Sequence, residues 1–421
     1  MPAGKYIDIL KDRGFFCFFW TQFLGAFNDN FYKIIVTLVA LDAPAALGGG
    51  TQYIPLIGAL FILPFLIFSG YAGHLADVYS KRTVLIGVKI FEIVAMTLGL
   101  LAFFTGRIEP MLLVVFLMGL HSTFFSPAKY GILPEMLPDK DLSRGNGLLE
   151  MSTFLAIILG TALGGTIYEF WKDRLAWIGV VLISIAALGV LTSVGISRVP
   201  ASGASKRFQL NPAKEITQGI QQLYRNPILW LTVMGISYFW FLGALLQMDL
   251  PILGKELLGL GETRIGLLWT FTAIGIGAGS LAAGRLSGDR IELGLVPLGS
   301  IGMGLFSVML FYSSASFEWA TTALILLGFS GGLFAVPLNA LLQQRSGREH
   351  KGQLIATNNV FNTVAVLLAS VVLFVLGNGL GLSADKIILI AGLMTFAATA
   401  YALHALPDFF VRFVLWLLTH T

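Results

Sequence analysis

One cysteine, Cys17, is all the chain contains, which rules out an intramolecular disulfide and a cysteine-based metal cluster. The five histidines show no ligand-like spacing, and no metal or other cofactor is expected. Charge is equally scarce. Asp, Glu, Lys and Arg make up 12% of the residues, against 56% hydrophobic ones and a mean hydropathy of +0.82. A soluble domain has no way to bury that much apolar surface, so the chain belongs in lipid. The pI near 9.1 raises nucleic acid as a partner, but the basic residues lie in short loops and form no continuous stripe. No nucleic-acid partner is expected. No small-residue cleavage site follows Lys5, Lys11 and Arg13, so the first apolar stretch reads as an uncleaved span.

What is present is a set of long apolar runs. A hydrocarbon core about 30 Å thick takes roughly 20 helical residues. Cutting at charges, Gly clusters and Pro predicts twelve spans: 14–41, 53–76, 83–105, 111–130, 145–170, 175–196, 227–250, 265–286, 293–313, 319–342, 352–377 and 386–406. The longest connection separates a six-span half within 1–197 from a second within 227–406. Residues 198–226 form a linker, and 407–421 a tail too short after Pro407 for another span, read as an interfacial helix. Most of the 27 Lys and Arg then fall on the side that holds both termini. Only Arg107, Lys172, Arg174, Lys255, Arg264 and Lys386 fall on the other, which by the positive-inside rule makes the terminus side cytoplasmic.

The halves are related. Phe23-Leu24-Gly25-Ala26 returns as Phe241-Leu242-Gly243-Ala244, Gly73-His74-Leu75 as Gly284-Arg285-Leu286, Gly119 as Gly328, and Arg144-Gly145-Asn146 as Lys351-Gly352-Gln353. The common order of these matches indicates a duplicated six-span unit. Between the second and third spans, Gly73-His74-Leu75-Ala76-Asp77-Val78-Tyr79-Ser80-Lys81-Arg82 resembles the signature loop of the major facilitator superfamily. It departs from that pattern at Val78, where an Arg is usual, and at Ser80, where a Gly is usual. Thr21 to Asn30, Ser126 to Leu133, Asn146 to Glu150 and Val336 to Gln343 narrow the resemblance to the lysophospholipid transporter family. That resemblance implies movement of lysophosphatidylethanolamine and lysophosphatidylglycerol across the bacterial inner membrane to the cytoplasmic leaflet for reacylation. The tail resembles the joint in longer members, where an acyltransferase and sometimes an acyl-carrier-protein synthetase follow. This chain has no acyltransferase His-x4-Asp motif, so a transporter and not an enzyme is expected, with such proteins as fused or associated partners.

Ionisable groups inside a span cost roughly 2.5–3.5 kcal/mol each at its centre, which makes them candidates for a polar route. Gln22, Ala26, Asp29 and Lys33 share one face of the first helix. Either Asp29, with Asn28 and Asn30, receives a cationic amine while Lys33 attracts a phosphodiester, or Asp29 and Lys33 neutralise each other or cap a neighbouring helix. His121, Phe125 and Lys129 share a face of the fourth span. Lys129 either pairs with Glu150 to close the cytoplasmic mouth, holds phosphate, or forms a static bridge between helices, whereas His121 is either a packing residue or a ligand. In the second half Gln247, Asn339, Asn358, Asn359 and Asn362 offer uncharged hydrogen bonds to a head group, or act as glue between helices. Asp249 lies near the outer mouth, where it is simply wet. Lys89 and Glu92 should satisfy each other in a peripheral span. Gly275-Ile276-Gly277-Ala278-Gly279 follows no strand, so it reads as a close helix contact and not a nucleotide loop.

The signature loop gives gating candidates Gly73, Asp77, Lys81 and Arg82. Asp77 should lie at the N-terminus of span eleven, where the helix dipole favours a carboxylate; the second copy has Gly288 there, with Asp289 one residue late. The expectation is an all-α membrane protein of twelve transmembrane helices in two pseudo-symmetric halves plus a short interfacial helix. It would act as a monomer by alternating access, with a lateral opening for the acyl chain. The rival readings are a proton-coupled exporter of amphipathic drugs and a membrane docking module for an acyltransferase.

Overall fold

The computed structural model describes residues 6–42, 50, 53–201, 203, 211–312, 316–405, 411, 413–414 and 418. The expected interfacial tail lies outside the described residues, apart from those last few positions. Among the described residues there is no β-strand. The helices are α1 (Tyr6–Lys11), α2 (Arg13–Asp42), α3 (Tyr53–Val78), α4 (Lys81–Thr105), α5 (Ile108–Met136), α6 (Leu142–Trp171), α7 (Leu175–Val194), α8 (Pro212–Tyr224), α9 (Pro227–Ile252), α10 (Glu262–Leu286), α11 (Leu295–Tyr312), α12 (Phe317–Arg345), α13 (Lys351–Leu373) and α14 (Ala384–Ala405).

Ten helical stretches are long and apolar enough to cross a membrane. One of these, Asp139–Val194, comprises both α6 and α7. With those separated and α2 added, α2–α7 and α9–α14 are the twelve expected spans. α2 falls short on hydropathy alone because Gln22, Asn28, Asp29, Asn30 and Lys33 interrupt a 30-residue helix. Helical form is forced wherever the backbone meets hydrocarbon, since every N–H and C=O must be bonded within the segment.

Local chemistry sets the ends. Asn226 accepts from the N–H groups of Ile228 and Leu229, with Pro227 at the first helical position. Asn211 and Pro212 start α8 in the same way. That 13-residue helix lies within the linker of 198–226, for which the sequence predicts no element. α5 runs through Pro127 and Pro134 to Met136, one and a half turns past its expected end, because a proline that continues a membrane helix forfeits only one backbone bond.

α6 packs along α10, and α3 along α13, joining the two halves. The tightest approaches lie toward one face, the basic one, where α6 and α13 begin and α3 and α10 end. Gly73 and Gly352 make the approach possible: a Cβ at Gly73 would lie 2.8 Å from the Ala356 Cβ, and one at Gly352 2.6 Å from the Gly73 carbonyl. Toward the opposite face the same four helices turn large apolar side chains outward, among them Ile54, Leu163, Leu267 and Leu368. The halves are therefore tied at the basic face.

Candidate functional site

The first polar cluster joins α2, α4 and α5. Ser122 donates to Asp29 Oδ2 at 2.6 Å, and Asn28 donates to Glu92 Oε1 at 2.8 Å. Glu92 is also bonded to Lys89, and His121 Nε2 lies 3.1 Å from its Oε2. All of these except Ser122 are buried. The Lys89–Glu92 pair forms as expected but is not peripheral. A Cβ at Gly25 would meet Lys89 Nζ at 3.1 Å and one at Gly189 at 2.8 Å, so two glycines from α2 and α7 enclose the ammonium. A wholly buried ion pair needs such enclosure and extra hydrogen bonds to offset its dehydration. His121 is held by Glu92 on one side and stacks on Phe125, with ring centroids 5.9 Å apart, on the other.

Asn28, Asn30 and Asp29 do not converge on one point, contrary to expectation. Adjacent residues on a helix point about 100° apart, and Asn30 bonds back to the Ala26 carbonyl at 2.7 Å. Nor do Asp29 and Lys33 form an ion pair within 4 Å. The half-buried Lys33 Nζ lies over the Phe61 ring, 4.2 Å from its centroid. Asp29 is 6% exposed, and its Oδ1 has no hydrogen-bond partner among the described residues.

A second cluster lies near the seam between the halves. Lys129 Nζ reaches Gln22 Oε1 at 3.3 Å and Thr153 Oγ1 at 3.4 Å, while Tyr130 and Asn339 donate to Glu150 Oε1 at 3.2 and 3.4 Å. The expected Lys129–Glu150 bridge is absent within 4 Å among the described residues, because each charge is held by neutral groups instead. Asn339 and Asn359 do cross the seam: Asn359 donates to Ser126 at 2.9 Å. Asn362 instead accepts from Ser237 at 3.0 Å within its own half, and the buried Asn358 carries an unpartnered Oδ1. The three asparagines therefore serve different neighbours. Gln247 is exposed on the face of α9 that also carries Trp240 and Gly243. Asp249 is not wet but fully buried.

The seam itself was the least foreseen part. Asn146 on α6 and Gln343 on α12 exchange two hydrogen bonds, at 2.9 and 2.8 Å, through fully buried amides. Gln344 donates to Asp139 at 3.0 Å. The Tyr6 hydroxyl, whose pKa burial pushes up to about 12, stays a donor to the Leu281 carbonyl of α10. The sequence signals for Asn146 are its place in the repeated Arg144-Gly145-Asn146 and in the Asn146 to Glu150 stretch that carries the resemblance.

Of the signature-loop residues, Asp77 spans the halves. Its carboxylate accepts from the backbone N–H of Gly352 at 2.6 Å and of Gln353 at 3.1 Å, at the N-terminus of α13. Lys81 and Arg82 do not span them. Lys81 bonds Glu135 at 2.6 Å, and Arg82 caps α7 through the carbonyls of Ile196 and Val194 at 2.7 and 2.6 Å, all within the first half. In the second copy Gly288 turns the chain with φ 58°, and Asp289 lies 3.6 Å from Arg144 at the start of α6. Among the described residues no three His, Cys, Asp or Glu converge on a metal position. A largely apolar crevice of about 200 Å3, lined by Gly87, Val88, Phe91, Leu120 and Phe124, leads between α4 and α5 to His121.

The family profile described as the Major Facilitator Superfamily matches residues 18–370. The chain is 31% identical to the lysophospholipid transporter LplT of Klebsiella pneumoniae (strain 342), over 85% of this chain and 87% of that protein. It is 30% identical to LplT of Photorhabdus laumondii, over 87% and 89%. Among solved structures it resembles the transporter FucP in the outward conformation, with a TM-score of 0.74 at 13% identity over 93% of this chain and 98% of that one. It also resembles the human organic anion transporter MFSD10, with a TM-score of 0.73 at 14% identity over 92% and 98%.

Proposed function

The chain belongs to the major facilitator superfamily and, within it, to the lysophospholipid transporter family, and from that membership we propose that it carries lysophosphatidylethanolamine and lysophosphatidylglycerol to the cytoplasmic leaflet of a bacterial inner membrane. It is a multi-pass lysophospholipid transporter and not an enzyme. The observation that carries this reading is a likeness to named transporters that extends over both six-helix halves. The excess of Lys and Arg supports a cytoplasmic basic face, and hence cytoplasmic termini. A monomer that hands its product to a fused or associated acyltransferase fits the same reading.

Transport proceeds by alternating access. The ties at Asp77, Asn146 and Asn359 support a state sealed toward the cytoplasm, from which the halves rock apart. Asp29 is the group for an ethanolamine ammonium: one oxygen is oriented by Ser122 and the other is unclaimed, so a charge-assisted bond has an acceptor ready. Lys129, held by long bonds to neutral groups and lying over the Tyr130 ring, is the group for the phosphodiester as it nears the seam. Asn28, Asn30, Lys33, His121, Glu150, Gln247, Asn339, Asn358 and Asn362 shape the polar path around them. The acyl chain stays in lipid through a lateral opening, because each CH2 left wet in a polar cavity would cost about 0.8 kcal/mol.

The test is flipping in proteoliposomes, with and without a pH gradient. Asp29→Asn should slow lysophosphatidylethanolamine at least about tenfold and lysophosphatidylglycerol less, since only the first bears an ammonium. Lys129→Ala should slow both. A parent that flips neither lipid, or variants that keep the parental rate, would refute the reading; export of amphipathic drugs driven by protons would establish a different one.

A further inference from the structure

Helix α8 belongs to neither half, yet a side chain in its first turn reaches both. Glu215 is buried, with 4% exposure. Its Oε2 and its own backbone carbonyl each accept from Gln353 Nε2 at 2.9 Å, and its Oε1 lies 3.6 Å from His74 Nδ1. Gln353 is in the first turn of α13, and its backbone N–H is one of the two that bind Asp77. His74 is on α3, three residues before Asp77. Asp77 and the two N–H groups it accepts form a latch between the halves, and Glu215 is connected to one of its two donors and to the helix that supplies its carboxylate. Gly219 seats α8 against Thr357 of α13, and Gly70 of α3 seats against the Pro212 carbonyl, so the helix is wedged between the two halves.

A buried carboxylate depends on its donors, and losing one strands the charge. If α3 and α13 part at the basic face, Glu215 keeps His74 or Gln353 but not both. Its full set of partners exists only while the seam is closed.

We propose that Glu215 is a positioning residue of the gate: it holds Gln353 so that the backbone N–H stays aimed at Asp77, and it makes the linker helix the third member of the latch. The balance between sealed and open states is then set partly by the linker and not by the halves alone. The consequence for flipping rests on the transport reading; the conformational effect does not.

Spin labels on Lys140→Cys and Arg348→Cys, both exposed and one in each half, report the seam in the full chain in nanodiscs with Cys17→Ala as background. Glu215→Ala should lower the ratio of short to long label distances about tenfold, whereas Glu215→Gln, which retains an acceptor oxygen for Gln353, should stay near the parent. Gln353→Ala removes that bond together with the one to the Glu215 backbone carbonyl, so the double variant should shift no further than Gln353→Ala alone. Parental distances in Glu215→Ala would overturn the proposal, as would a lowered melting temperature without a distance change, which marks a structural residue. Because the distances are read without lysophospholipid, a parent that fails to flip but shows the Glu215-dependent shift would sink the transport reading and leave the gate standing.

Discussion

Asp77→Asn isolates the charge in the latch with little change of shape. Asp77 is fully buried, and its two oxygens take the Gly352 and Gln353 N–H groups at 2.6 and 3.1 Å. Asparagine keeps one acceptor but turns an NH2 toward the other donor. A hydrogen bond to a charged group is worth about 1.5–3 kcal/mol net, against about 0.5–1.5 for a neutral one. The complement to the α13 dipole, about 0.3–1 kcal/mol, is lost as well. The seam should therefore weaken by about 2–3 kcal/mol, or roughly 30- to 150-fold in the ratio of closed to open molecules. Ser280 is fully buried where α10 meets α6, and in a Cys17→Ala background Ser280→Cys places a thiol there. Its maleimide labelling should be slow in the parent and faster by about that factor in Asp77→Asn, provided opening is fast relative to labelling. Equal labelling rates in two well-folded proteins would refute the latch.

The seam supplies two further tests. Asn146→Ala leaves the Gln343 amide buried and unpaired, at a cost of about 1–3 kcal/mol, whereas Asn146→Leu with Gln343→Leu should recover much of it; the same labelling assay reads the non-additivity. Gly73→Ala puts a methyl 2.8 Å from the Ala356 Cβ and should open the seam, with partial rescue by Ala356→Gly. Inside the first half, Glu92→Gln strands Lys89 in a wholly buried site and should cost about 3–5 kcal/mol. Thermal unfolding in detergent should register it, and adding Lys89→Met should restore part of the loss.

Much of the fold was legible because lipid simplifies the problem. Twelve apolar runs became twelve helices with ends displaced by a few residues, since hydrocarbon admits no other open backbone form. The Asp77 neighbourhood was legible too: a carboxylate in a loop beside a helix start has a natural partner in unpaired N–H groups. Helix α8 was missed because its polar, amphipathic sequence does not stand out in a chain judged by hydropathy. Asp249 was misplaced because its position near a span's end was mistaken for exposure.

The amino-acid order by itself determined the spans, the duplication, the basic face and the faces along which Gln22, Asp29, Lys33, His121 and Lys129 lie. Only tertiary structure decided the partners: Glu92 for Asn28, Ser122 for Asp29, Gln343 for Asn146, and neutral groups in place of a Lys129–Glu150 bridge. Helical periodicity fixes the direction in which a side chain points along its own axis. Which neighbouring helix stands in that direction, and at what height, is set by how glycine-lined surfaces pack across the bundle, and sequence spacing carries no measure of that.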